Sequence, residues 1–133
     1  MKYKTTKKDF ELFSKYCDDW AEKLSIDDFE INIWHEDPLN PKADCEINID
    51  YKYRRVDIYF SINNFHEAPK KEYIEEMAKH EILHLLVGEM KDLAQDRYVI
   101  QDEIIKADER LIRKLEKIIL NVWNMNHYQE IFF

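Results

Sequence analysis

Apolar and polar residues follow two different periodicities along the chain. Between residues 6 and 25, the apolar positions recur every three or four residues (Phe10, Phe13, Cys17, Trp20, Ala21, Leu24). That spacing predicts an amphipathic helix, and Thr6 followed by Asp9 predicts a capping box at its start. Residues 29–35, 45–53 and 56–60 alternate with a period of two, which predicts three strands.

Two more helices follow the predicted strands. Pro69 suits a first helical position, because its missing N–H would be unpaired there. The helix that it opens is predicted to run to about Val87, and Gly88, which adopts positive φ at little cost, is predicted to end it. A last helix is predicted over residues 98–124. The order α-β-β-β-α-α predicts an α+β fold, with a small, mainly antiparallel sheet packed on helices.

Length, charge and cysteine content narrow the class of protein. The 133 residues suit one domain spanning residues 1–133. A net charge of −8 argues against nucleic-acid binding. No stretch is apolar over the length of a membrane span, and the first residues lack the pattern of a signal peptide, so we expect a cytoplasmic protein. Cys17 and Cys45 have no CxxC spacing and are expected to be buried thiols.

The candidate chemistry lies in the second predicted helix, in the segment His80-Glu81-Ile82-Leu83-His84. Two histidines four residues apart lie one turn apart on one helix face, so their imidazoles can converge on one metal ion. Glu81 lies about 100° further round the helix, where it can accept a proton from a water molecule beside the metal. The pattern therefore predicts one zinc ion held by His80 and His84, with Glu81 as general base.

A third ligand is expected from the last helix. The metzincin class is excluded, because Val87 and Met90 stand where it requires glycine and histidine. Asp108 fills a gap in the apolar stripe of the last helix, which consists of Ile104, Leu111, Leu115, Ile118 and Val122. A carboxylate in a buried stripe is costly unless it is paired or bound to metal. Asp108 is therefore the predicted third ligand, with Glu109 as the alternative.

The order of the elements, the HExxH segment and the acidic pair Asp108-Glu109 together resemble a minimal zincin domain. The chain looks similar to small SprT-like or phage-type metallopeptidases, which resemble reduced gluzincins. The resemblance implies zinc held by His80, His84 and one acid, Glu81 as general base, and a protein or peptide substrate. The alternative is a non-catalytic zinc-binding or protein-interaction module on the same scaffold.

Overall fold

The computed structural model describes residues 2–95 and 98–132, with side chains placed as far as Ile118 in the last helix. Six elements follow the predicted order: α1 (Lys7–Lys23), β1 (Glu30–His35), β2 (Cys45–Asp50), β3 (Arg55–Phe60), α2 (Lys71–Gln95) and α3 (Gln101–Phe132). The α+β class is therefore confirmed. None of the helices in the described part of the chain is long and apolar enough to cross a membrane.

Helix α1 begins as its sequence predicts. The Thr6 side chain accepts a hydrogen bond from the backbone N–H of Asp9, and the Asp9 carboxylate accepts one from the backbone N–H of Thr6. Two of the amide groups at the helix start are thereby satisfied. The predicted stripe is also the packed face, since Phe13, Cys17 and Ala21 are buried.

The three strands form a mixed sheet in the order β1-β3-β2. β3 pairs parallel with β1 and antiparallel with β2. The prediction of a mainly antiparallel sheet is therefore wrong. The consecutive strands β2 and β3 are joined by a short turn and pair antiparallel. The longer segment between β1 and β2 places β2 two strand positions from β1, and β3 then occupies the position between them. The order of the strands depends on residues far apart in the sequence, so the alternation of apolar and polar residues does not indicate it.

The core lies between one face of this sheet and the helices α1 and α2. Val56, Ile58 and Phe60 alternate along the central strand β3, and each is fully buried. Apolar side chains from the two helices complete this core: Phe13, Cys17, Ala21, Ile74, Met77, Ala78, Ile82 and Leu85. The arrangement places α2, with the candidate chemistry, directly on the domain core.

The turn between β2 and β3 depends on an arginine rather than on glycine. Arg54 adopts a φ of 56°, a left-handed conformation that usually favours glycine or asparagine. Its guanidinium group forms ion pairs with Asp28 and Glu89 and lies over the ring of Phe29. These contacts hold the strained backbone in place. The turn occupies residues 51–54, so β2 ends three residues earlier than predicted.

Helix α2 does not end at Gly88, as the sequence predicted, but continues to Gln95. Gly88 has no positive φ, so the fold does not require the conformational freedom of glycine at this position. A Cβ atom at this position would collide with the hydroxyl of Tyr51. The missing side chain therefore lets the β2–β3 turn approach the helix closely.

Asp37 anchors the loop after β1 to the segment that follows β3. Its Oδ1 accepts hydrogen bonds from the Ser61 hydroxyl and from the backbone N–H groups of Ile62 and Asn63, and its Oδ2 accepts one from the Asn63 amide. Burial alone would raise the pKa of Asp37, but these hydrogen bonds lower it to about 2.

We expect Asp37→Asn to lower the free energy of unfolding by about 1–2 kcal/mol at neutral pH, since it removes the charge and turns one acceptor into a donor facing Asn63. The folded pKa lies below the usual unfolded value of about 3.9. The contribution of Asp37 is therefore complete above about pH 4 and is lost as the pH falls towards 2. Urea unfolding at several pH values checks this. A variant with the same acid profile as the wild type would contradict it.

Candidate metal centre

Residues 80–84 lie in the middle of α2, on the border of its buried face. Ile74, Ala78, Ile82 and Leu85 are the side chains of α2 that lie deepest in the core. The two histidines lie beside this stripe, and both are exposed. A ligand can therefore reach both imidazoles from solvent.

The imidazoles of His80 and His84 converge as the binding of one metal ion by both would require. Their Nε2 atoms are 3.2 Å apart, and their rings meet at 84° with centroids 4.8 Å apart. Two nitrogen ligands of a tetrahedral zinc ion, each at 2.0–2.1 Å from the metal, are separated by about 3.3 Å. Burial lowers the pKa of His84, and the positive charges of His80 and Lys91 lower it further, which favours the neutral imidazole that a metal binds.

Glu81 points from the same turn of α2 into a more enclosed environment, with 9% of its surface exposed. Burial raises the pKa of the Glu81 carboxyl, and the charge of His80 opposes that effect. No donor in the described part of the chain hydrogen-bonds to this carboxylate. Its oxygens are therefore open to a water molecule or a ligand.

A cavity of about 330 Å³ connects Glu81 with one of the histidines. It is lined by Tyr73, Glu76, Met77, Lys79, His80, Glu81 and Leu83. Met77 and Leu83 give it apolar wall, while Glu81 and His80 supply a proton acceptor and a metal ligand. A small group bound in this cavity would touch both.

The contact between Tyr73 and Asp44 was not anticipated from the sequence. The Tyr73 hydroxyl donates a hydrogen bond of 2.9 Å to Asp44 Oδ2, which ties the start of β2 to the helix that carries the histidines. The two residues are 29 positions apart, and neither belongs to a motif. Only the packing of α2 beside β2 brings them together.

Both cysteines lie near Glu81. They are free thiols, Cys17 buried and Cys45 half-buried. Burial raises the pKa of each thiol, and the charge of Glu81 raises it further. The prediction of buried thiols is confirmed for Cys17 and holds in part for Cys45.

The predicted third ligand does not lie where the sequence placed it. Asp108 and its alternative Glu109 are both exposed on α3, whereas Ala107 and Lys114 are buried. The prediction that Asp108 occupies a buried stripe is therefore wrong. The packed face of α3 contains Ala107 and Lys114 and only borders the apolar stripe.

Ion pairs explain this orientation. Arg110 donates to Glu89 of α2, with Nε at 3.2 Å from Oε2, and Lys114 Nζ lies 3.0 Å from Asp28 Oδ1. Burial alone would raise the pKa of both acids, but the basic groups of Lys114, Arg110 and Arg54 lower it. Because the surface beneath α3 is acidic, the basic side of the helix faces the domain. Ile104 and Leu115 of the apolar stripe are therefore left exposed, while Leu111 and Ile118 are half-buried.

No group of three or more histidine, cysteine, aspartate or glutamate side chains is arranged to hold a metal ion in the described part of the chain. His80 and His84 fit zinc as a pair, and neither Asp108 nor Glu109 completes the set. The two histidines are thus the part of the predicted site whose geometry suits a metal, and the third ligand stays a prediction.

Comparisons with family models, with curated proteins and with solved structures give no match. The likeness to small SprT-like metallopeptidases therefore rests on residues 80–84 and on the order of the elements.

Proposed function

We propose that this chain binds one zinc ion through His80 and His84 and hydrolyses peptide bonds, with Glu81 as general base. The observation that carries the proposal is the 3.2 Å separation of the two Nε2 atoms, one turn apart on an accessible helix face, with Glu81 next to them. Zinc, when bound, supplies a Lewis acid for the substrate carbonyl and lowers the pKa of water towards about 7.

Glu81 has the surroundings that proton transfer needs. Its carboxylate lines the cavity that also contains His80, and no donor of the described residues competes for it. It accepts a proton from the attacking water and delivers that proton to the departing amine.

The sheet supports an extended peptide as the substrate. β2 is an edge strand of the described sheet, and it lies next to α2. The free edge of a strand presents backbone N–H and C=O groups with which a peptide can pair. A peptide added to β2 would run beside the helix that carries the histidines.

Chelator-sensitive hydrolysis tests the proposal. The zinc-loaded full-length chain is incubated with an unfolded protein, and newly formed amino termini are measured. We expect hydrolysis to stop with a chelator and to resume when zinc is restored. Turnover that is unaffected by the chelator would contradict a zinc-dependent mechanism.

A non-catalytic zinc-binding module is the second candidate, and one observation favours it: the histidines lack a third ligand among the described side chains. Such a module would bind zinc without cleaving any unfolded substrate. The same incubation, combined with metal analysis, separates the two candidates.

A further inference from the structure

The sheet packs on the helices with only one of its two faces. Along β3, the residues that face the core are fully buried, whereas Arg55, Asp57 and Tyr59, which alternate with them, are exposed or half-buried. Successive side chains of a strand point to opposite sides of a sheet, so these three residues belong to the outer face. Alternate residues of β1 and β2 complete the outer face, which is accessible to a partner.

Two aromatic side chains lie next to each other at one end of the outer face. Trp34 of β1 is the register partner of Tyr59 of β3, and Trp34 is 43% exposed. The indole N–H of Trp34 donates a hydrogen bond of 2.9 Å to Asp57 Oδ1. This bond fixes the position of the indole ring while leaving much of the side chain accessible to a ligand.

Carboxylates surround the ring of Tyr59. Glu46 of β2 is its register partner on the other side, Asp57 lies two residues before it on the same face, and Glu36 directly follows β1. Burial raises the pKa of the Tyr59 hydroxyl, and the charges of Asp57, Glu36 and Glu46 raise it further. None of the three acids forms an ion pair with a basic side chain that the structure describes.

The unpaired charge of the outer face is therefore negative. Its one basic residue, Arg55, lies at the end away from the aromatic pair and is already paired, with Nε at 3.2 Å from Glu30 Oε2. Once this pair is set aside, the carboxylates of Glu46, Asp50 and Asp57 remain. Two of them, Asp50 and Asp57, line a cavity of about 340 Å³ on the same face.

An aromatic pair next to unpaired carboxylates suits a cationic side chain. The faces of tryptophan and tyrosine rings attract ammonium and guanidinium groups, and a carboxylate adds a charge-assisted hydrogen bond. Such contacts occur elsewhere in the domain, where Lys23 lies over Trp20 and Arg54 over Phe29. Among the described residues, however, no lysine or arginine lies over the rings of the aromatic pair.

Leu39 adds an apolar contact at the aromatic end. Its backbone N–H donates a hydrogen bond of 3.3 Å to Glu46 Oε2, and its side chain is 93% exposed. A lysine or arginine side chain combines a charged head with an apolar stem, so it can use the carboxylates and the apolar surface together. An anionic partner would be repelled, and an apolar one would leave the carboxylates without partners.

We propose that the outer face of the sheet binds a segment of a partner protein that is rich in lysine or arginine. One cationic side chain lies against Trp34 and Tyr59 and pairs with Asp57 or Glu46, and a second occupies the cavity lined by Asp50. The outer face is on the opposite side of the sheet from α2. A partner bound there leaves the candidate metal centre accessible, and the proposal does not depend on zinc binding or hydrolysis.

Binding of a fluorescently labelled hexalysine peptide to the full-length chain tests the proposal, by fluorescence anisotropy at about 0.15 M salt. Trp34→Leu keeps an apolar side chain but removes the aromatic face, and it should weaken binding about threefold. Asp57→Asn keeps an acceptor for the Trp34 indole but removes the charge, and it should weaken binding about three- to fivefold.

Glu72→Gln is the matched control, because it removes one exposed negative charge at the start of α2, away from the sheet. It should leave hexalysine binding unchanged. Glu46→Gln keeps an acceptor for the Leu39 N–H and should weaken binding as Asp57→Asn does, so it replaces a variant whose melting temperature falls.

Three results would overturn the proposal. The first is a wild type that does not bind hexalysine, including one that binds the neutral oligosaccharide cellohexaose instead, which would assign the aromatic pair to a carbohydrate. The second is equal weakening by Asp57→Asn and Glu72→Gln, which would mean that the overall charge of the chain is sufficient. The third is binding that neither Trp34→Leu nor Asp57→Asn changes.

Discussion

Replacing Glu81 with glutamine is expected to lower the rate of peptide hydrolysis by about 10²–10⁴-fold while zinc remains bound. Glutamine has nearly the shape of glutamate but cannot accept a proton at neutral pH. Because Glu81 is largely enclosed and burial raises the pKa of its carboxyl, removing the charge should not lower the melting temperature. A loss of activity would therefore reflect the missing proton acceptor.

Glu76→Gln is the matched control for this experiment. Glu76 lines the same cavity, but its carboxylate is paired with Lys79 at 2.9 Å and its side chain is 65% exposed. The same chemical change there should leave hydrolysis within about twofold of the wild type, because a surface pair of this kind contributes little. Full activity in the Glu81→Gln variant would exclude Glu81 as general base.

The largest expected loss of stability follows from Phe60→Ala. Phe60 is fully buried at the end of β3, and its ring centroid lies 4.8 Å from that of Phe13 and 5.4 Å from that of Phe65. Truncating a phenylalanine in such surroundings removes its transfer free energy and leaves a cavity, at a cost of about 3–5 kcal/mol. Since domains are stable by only about 5–15 kcal/mol, the urea midpoint should fall sharply.

Tyr53→Ala provides the comparison for Phe60→Ala. Tyr53 is an aromatic residue in the β2–β3 turn and is 66% exposed. Its truncation should change the free energy of unfolding by about 0.5 kcal/mol or less. If both variants lose the same stability, the assignment of Phe60 to the core is wrong.

The order of the elements and the approximate start of each could be predicted from the sequence, because both depend on local signals, whereas α2 and α3 each end eight residues later than predicted. The apolar stripe of α1 and the alternation along β3 each identify the face of that element that packs on the core. The capping box between Thr6 and Asp9 is likewise local, and its hydrogen bonds follow the predicted pattern. The candidate histidines belong to this category too, since their convergence depends only on helix geometry.

Features that depend on distant partners could not be predicted. The parallel pairing of β1 with β3 is decided by the path between β1 and β2, and the left-handed turn at Arg54 by Asp28 and Glu89. Gly88 predicts a helix end because glycine often occurs there, whereas its close contact with Tyr51 leaves no signal in the sequence.

The orientation of α3 differs from the predicted one for a physical reason. Its apolar stripe predicts the packed face, as is usual for a helix on a domain. The acidic residues Asp28 and Glu89 instead attract its basic side. Asp108 therefore lies on the outer surface, and the third metal ligand has less support than the two histidines.

Zinc content measures the central proposal most directly. The full-length wild type and His84→Ala are equilibrated with zinc, dialysed and analysed for metal, with His66→Ala as a control histidine exposed outside the pair. We predict about one zinc per chain in the wild type and in His66→Ala, and well below one in His84→Ala. A wild type without zinc, or a His84→Ala variant that retains it fully, would contradict a metal site at His80 and His84.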